Sequence, residues 1–111
     1  DSFVSRGLGD VYKRQRWDEL EKFRSINKEI KIAILVDSVF KIDSSLTLSR
    51  EINAYAINPN NSFLSKEIVQ KLKSKNLLVF PYTVNNIENI KRMKSIGVDG
   101  IITDYPERIN R

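Results

Sequence analysis

The chain has 111 residues, 41% of them hydrophobic and 30% charged, with a net charge of +5. Such a length and balance suit one globular domain; they exclude a disordered chain, and no apolar run approaches the ~20 residues a membrane helix needs. The absence of cysteine and histidine excludes disulfide frameworks, thiolate nucleophiles, cysteine metal sites and any imidazole base, acid or metal ligand within the chain.

Residues 1–15, "DSFVSRGLGDVYKRQ", hold two glycines and no helical or strand period, and nothing pairs them with the later pattern. They resemble a translated sequencing-adapter segment that recurs at the ends of reading frames assembled from environmental DNA. On that reading a non-native, disordered leader precedes one domain spanning 16–111; the plainer reading is an ordinary loop or frayed terminus. The chain does not start with methionine, so its natural N-terminus is expected further upstream. No secretory leader is visible, and a cytoplasmic location is the working expectation.

From Trp17 the pattern is regular. Trp17, Leu20, Phe23 and Ile26 recur every three residues behind Asp18 and Glu19, which suit a helix N-terminus. Ile30 to Val36 reads as a buried strand. Residues 38–51 are ambiguous, since "SSLTLSRE" fits a loop with a short helix. A second strand, Ala54 to Asn58, is closed by the turn signal "NPNN". Ser65 is an N-cap for a helix carrying Ile68, Val69 and Leu72 inward, and Asn76 can take a left-handed position at its end. Leu77 to Tyr82 is a third strand. Asn85 or Asn86 caps the next helix, whose stripe is Ile87, Ile90, Met93 and Ile96, stopped by Gly97. Asp99 to Thr103 is the fourth strand, and Pro106 can open a last helical turn.

The lysines fall along these helices, at Lys66, Lys71, Lys73, Lys75, Lys91 and Lys94, with Glu67 and Glu88 among them. They read as solvated helix faces, and aromatics do not alternate with them as in a single-strand binder, so nucleic acid is not an expected partner. The strands are continuously apolar, hence buried on both faces, and they alternate with helices. That order predicts an α/β fold: four parallel strands with covering helices.

The segments "VFPYTVNN" and "IGVDGIITDYP" resemble the last two strands of the glycerophosphodiester phosphodiesterase family, which typically read "v-x-W-T-V-N" and "G-V-D-G-I-x-T-D-x-P". The resemblance extends back through "INPNNSFLSKEIVQKLKSKN" and "LEKFRSINKEIKIAILVD", covering essentially all of 16–111. It implies the C-terminal half of a (β/α)8 TIM-type barrel, the four strands being barrel strands five to eight. It also implies a parent enzyme that hydrolyses glycerophosphodiesters to glycerol phosphate and an alcohol, aided by magnesium or calcium on carboxylates and by two histidines. Those groups lie on an "H-R-G" strand, an "E-x-D" strand and an "E-x-K" strand of the other half, so no catalytic residue and no metal ligand carries over to this chain.

What carries over is the pocket wall, because barrel enzymes bind substrate at the C-terminal ends of their strands. Tyr82 stands where the family has tryptophan, as an aromatic platform for the glycerol moiety or else as a half-buried core aromatic. Asn85 bonds substrate oxygen or caps the next helix. Thr103 and Asp104 end the last strand and tie down the closing loop or face substrate; Asn58 and Asp37 end the two earlier strands and are further pocket candidates. Two alternatives stay open: a piece of a related phospholipase-type barrel, and a small non-catalytic module binding a phosphorylated ligand. A half-barrel also leaves two sheet edges and inward side chains facing water, so marginal stability or self-association is expected.

Overall fold

The computed structural model describes residues 4–5, 11–14 and 16–110. Its elements in chain order are β1 (Val4–Ser5), β2 (Val11–Arg14), α1 (Trp17–Ile26), β3 (Lys31–Val36), α2 (Ile42–Ile52), β4 (Ala56–Pro59), α3 (Lys66–Lys73), β5 (Leu78–Val79), α4 (Ile87–Ser95) and β6 (Gly100–Ile101). Short 3-10 turns cover Val39–Lys41, Asn61–Phe63 and Pro106–Arg108. All strand pairs are parallel: β2-β3-β4-β5 form one sheet and β1-β6 a second. The sheets are continuous in backbone bonding, since Asp99 N–H donates to Val79 O at 3.0 Å and Ile102 N–H to Pro81 O at 2.9 Å.

This is the expected α/β arrangement with one correction. Val11–Arg14 pairs with Lys31–Ile34, and Val4–Ser5 pairs with Gly100–Ile101, so strands flank the four that the pattern predicts. Apolar periodicity cannot reveal such strands, because "VYKR" owes its place to backbone pairing with β3. The remaining leader residues, 1–3, 6–10 and 15, lie outside the described residues.

The second difference is α2, a full helix where a loop with a short helix was the alternative. Its inward stripe is Ile42, Ser45, Leu48, Ser49 and Ile52, all buried. Two serines in that stripe hide the apolar period. Their hydroxyls donate back to the helix, Ser45 to Ile42 O at 2.6 Å and Ser49 to Leu46 O at 2.8 Å, which removes the cost of burying them.

Capping follows the side chains. Ser65 Oγ accepts from Ile68 N–H at 3.2 Å, and Asn86 Oδ1 accepts from Glu88 and Asn89 N–H at 2.8 and 3.3 Å. Asn53 and Asn76 adopt the left-handed backbone after α2 and α3, with φ of 53° and 63°. Gly97 ends α4 at φ 93°, a conformation that a side chain disfavours.

One face of the sheet is buried throughout and the other in part. Ile32, Ile34, Val36, Ile57, Val79 and Ile101 point outward into a core shared with Leu20, Leu48, Leu72, Ile90 and Met93 of the helices. Inward, Ala33, Ala56 and Phe80 form a second cluster, with Tyr55, Leu78 and Ile102 against it. The inward side chains are therefore not uniformly solvated: Phe80 packs with the two alanines at 1% exposure, while Leu35, Leu78 and Ile102 are half-buried.

Candidate functional site

Parallel strands flanked by helices put their C-terminal ends on one rim, where short connections leave side chains free for binding. The six residues expected there do lie at or near strand ends, but in three separate settings.

The first setting joins Asp37 and Tyr82. They line a crevice of about 10 Å³ with Trp17, Leu35 and Lys41. Tyr82 follows β5 and is held by a bridge to Asn60, its N–H donating to Pro59 O at 3.0 Å. Its ring is half-buried. Burial, and next the charge of Asp37, push the Tyr82 phenol above its ordinary pKa, while Lys41 pulls the other way. Asp37 is exposed and pairs with Lys41, Nζ to Oδ1 3.0 Å. Trp17 is fixed beneath by its indole N–H, which donates to Leu35 O at 3.0 Å.

The second setting joins Asn85, Thr103 and Asp104. Asn85 Oδ1 accepts from Thr103 Oγ1 and from Asp104 N–H, each at 3.0 Å, and Asn85 Nδ2 donates to Asp104 Oδ2 at 3.1 Å. Arg108 adds a bond to Asn85 O at 2.9 Å, and Thr103 Oγ1 also accepts from Tyr105 N–H at 3.0 Å. Asn86 takes the capping role, so Asn85 is not a cap; its carboxamide is spent on joining the "TVN" and "TDYP" loops.

The third setting is Asn58 alone. It lies inside β4, fully buried, with Nδ2 donating to Phe80 O at 3.1 Å and no partner for Oδ1 among the described residues. It is a wall residue below the rim, not a group in open contact with solvent.

Sequence reasoning missed Lys41, Arg108 and Asn61. Asn61 Nδ2 donates to Tyr82 O at 2.8 Å and Thr83 O at 3.2 Å, and Asn61 Oδ1 accepts from Asn89 at 2.7 Å. The only signal for it was the "NPNN" turn, which does not say what the turn holds. A wider groove of about 500 Å³, lined by residues including Arg50, Asn53, Lys75 and Leu77, lies at the opposite end, where chain enters β4 and β5.

No group of three or more aspartates or glutamates stands close enough among the described residues to hold a metal ion. The described residues thus do not fit the divalent ion that the resemblance implies. No helix among the described residues is long and apolar enough to cross a membrane.

The sequence profile of the Glycerophosphoryl diester phosphodiesterase family matches residues 5–108. The glycerophosphodiester phosphodiesterase of Bacillus altitudinis is 32% identical over 89 residues, which is 80% of this chain and 36% of that relative. That of Bacillus subtilis (strain 168) is 38% identical over 63 residues, 55% of this chain and 22% of the relative. The chain thus spans roughly a quarter to a third of the length of these relatives. Among solved structures, a candidate glycerophosphoryl diester phosphodiesterase from Silicibacter pomeroyi DSS-3 superposes with a TM-score of 0.78 at 27% identity, over 89% of this chain and 35% of that one. The Oleispira antarctica phosphodiesterase, solved with its product sn-glycerol-3-phosphate, superposes at 0.80 over 90% of this chain and 40% of its own, at 17% identity, a likeness of fold.

Proposed function

The chain belongs to the glycerophosphoryl diester phosphodiesterase family, and from that premise we propose that it is the C-terminal part of a phosphodiester hydrolase. In the whole enzyme, water attacks phosphorus, the bond to the leaving alcohol breaks, the alcohol takes up a proton and glycerol phosphate is released. The substrate class is glycerophosphodiesters and the location cytoplasmic. β3 to β6 are the last four strands of a (β/α)8 TIM-type barrel, and 16–111 is the barrel-derived unit.

In this reading the chain supplies pocket wall, not proton transfer. Tyr82 offers an aromatic face to the glycerol moiety, with Asp37 and Lys41 at its edge. Asn85 and Thr103 hold the last loop so that Asp104 keeps a fixed place on the rim, and Asn58 backs the wall from inside. A divalent ion, magnesium or calcium, belongs to the part of the enzyme that carries the "E-x-D" and "E-x-K" strands. The chain by itself is inactive and, with sheet edges at β1 and β2, prone to self-association.

The carrying observation is the family match over 5–108, in a chain with no histidine and no metal-binding cluster among the described residues. The test is hydrolysis of a glycerophosphodiester, read as release of sn-glycerol 3-phosphate with magnesium or calcium present. The chain alone should show none. A chimera joining residues 16–111 to the preceding segment of the Bacillus altitudinis relative should restore it, and activity of the 111 residues alone would refute the assignment.

A further inference from the structure

We propose that the groove between the last turns of α2 and the segment leading from α3 into β5 is a second ligand site, at the opposite end from the strand-end rim. It takes a phosphate monoester: Arg50 and Lys75 bind the phosphate, and the carboxamides of Asn53 and Asn76 meet the rest of the molecule. The groove holds about 500 Å³, within the roughly 300–1,000 Å³ of small-molecule sites. The residues that line it lie between positions 46 and 77, so it is formed within this chain and does not depend on the barrel reading.

Its cations are left without partners. Arg16 pairs with Asp18, Arg24 donates to Ile52 O and Asn53 O, Arg92 to Asn61 O and Arg108 to Asn85 O. Arg50 has no such partner among the described residues. In the last turn of α3, Lys71 pairs with Asp43 and Lys73 with Asp99, whereas Lys75, just beyond it, has none among the described residues. A cation near a helix C-terminus ordinarily meets the last carbonyls. At the end of α2 Arg24 already does so, and Arg50 is left for something else.

The asparagines divide in the same way. Asn27, Asn60, Asn61, Asn85, Asn86 and Asn89 each hold a hydrogen bond through the carboxamide. Asn53 and Asn76, both in the groove, hold none among the described residues. Their left-handed backbone is met more readily by glycine, so it does not by itself call for a carboxamide. The N–H groups of Asn53 and Ala54 are given to Ser49 O, and that of Asn76 to Lys73 O. The free donors of the groove are therefore side chains.

Charge selects the ligand. No carboxylate lines the groove among the described residues; Glu51, next to Arg50, lines the separate groove between α1 and α2. Two uncompensated cations suit a phosphate monoester, with about −1.5 to −2 charge at pH 7, better than a single carboxylate. The guanidinium fork of Arg50 can take two phosphate oxygens at once. Leu46 and Leu77 close the floor.

The test is calorimetric titration of the 111-residue chain at low ionic strength with sn-glycerol 3-phosphate, and in parallel with phosphatidylcholine vesicles containing phosphatidic acid. At least one should bind, with a Kd of about 1 mM or tighter. Binding of the soluble ester makes the ligand a free molecule; binding of the vesicles alone makes it a lipid headgroup. Arg50→Ala and Lys75→Ala should each weaken that binding about tenfold. Lys91→Ala removes an exposed charge from α4 and should leave it unchanged. All three positions are exposed, so circular dichroism should match wild type in each. Absence of binding to either probe overturns the site. So does an equal loss in Lys91→Ala and Arg50→Ala, which would reduce the effect to net charge. Citrate binding as tightly as the phosphate monoester overturns the ligand class. Hydrolysis by the chimera does not enter these measurements, so the two readings fail separately.

Discussion

Asp99 and Val79 hold each other twice: Asp99 N–H donates to Val79 O at 3.0 Å, and Asp99 Oδ2 accepts from Val79 N–H at 2.9 Å. The second carboxylate oxygen takes the ammonium of Lys73 at 2.6 Å. One aspartate thereby joins the start of β6 to β5 and to the end of α3, which accounts physically for an acid in "GVDG". Asp99→Ala should lower unfolding free energy by about 1–3 kcal/mol, because it leaves the Val79 amide unpaired. Lys73→Ala should cost no more than about 1 kcal/mol, since Lys73 is well exposed. Denaturant titration of the two variants checks the ranking; a larger loss from Lys73 would contradict it.

Asn85 makes a sharper test, because its two side-chain atoms do opposite jobs. Asn85→Ala removes both and should cost about 1–3 kcal/mol while speeding hydrogen exchange at Asp104. Asn85→Asp keeps the acceptor but sets a carboxylate against Asp104 Oδ2, where Asn85 Nδ2 now donates. Like charges held this close repel. The repulsion is felt at neutral pH and relieved once either carboxylate is protonated, so Asn85→Asp should regain stability relative to wild type on acidification. Melting curves across that range decide it.

Tyr82 carries a raised phenol pKa, caused by burial and then by Asp37. A group that holds its proton more tightly when folded contributes stability below its unfolded pKa, near 10, and loses it as pH rises through the folded value. The Tyr82 component should therefore titrate late by tyrosinate absorbance, and Tyr82→Phe should abolish it. Asp37→Asn should bring it partway back toward 10 without removing the part due to burial. No change in Asp37→Asn would mean that the carboxylate does not act on the ring.

Gly97 sits at φ 93° with nothing within 4 Å of where a Cβ would stand. Gly97→Ala should therefore be destabilising through the backbone alone, by about 1–2 kcal/mol. Gly97→Asn should cost less, because asparagine tolerates positive φ better. Similar losses in both variants, measured by thermal unfolding, would point to a packing clash instead.

Much of this architecture is written locally. The unbroken apolar run Ile32 to Val36 announces a strand buried on both faces, and Ile90 and Met93 a helix stripe. Ser65 and Gly97 announce the helix ends they form. These signals depend on neighbours a few residues away, so the order and type of α1, β3, β4, α3, β5, α4 and β6, and the strand ends where Tyr82, Asn85 and Asp104 lie, are legible without coordinates.

Tertiary structure alone decided which of two adjacent asparagines caps α4 and which reaches Asp104, because both have the same chemistry and only the register of β6 beside β5 separates them. It also decided that Ser45 and Ser49 belong to a helix core, that Val11–Arg14 stands beside β3, and that Asn58 is buried with one oxygen unpaired among the described residues. Each of those depends on groups distant in sequence meeting in space, and hydrogen-bond partners chosen that way leave no period in the chain.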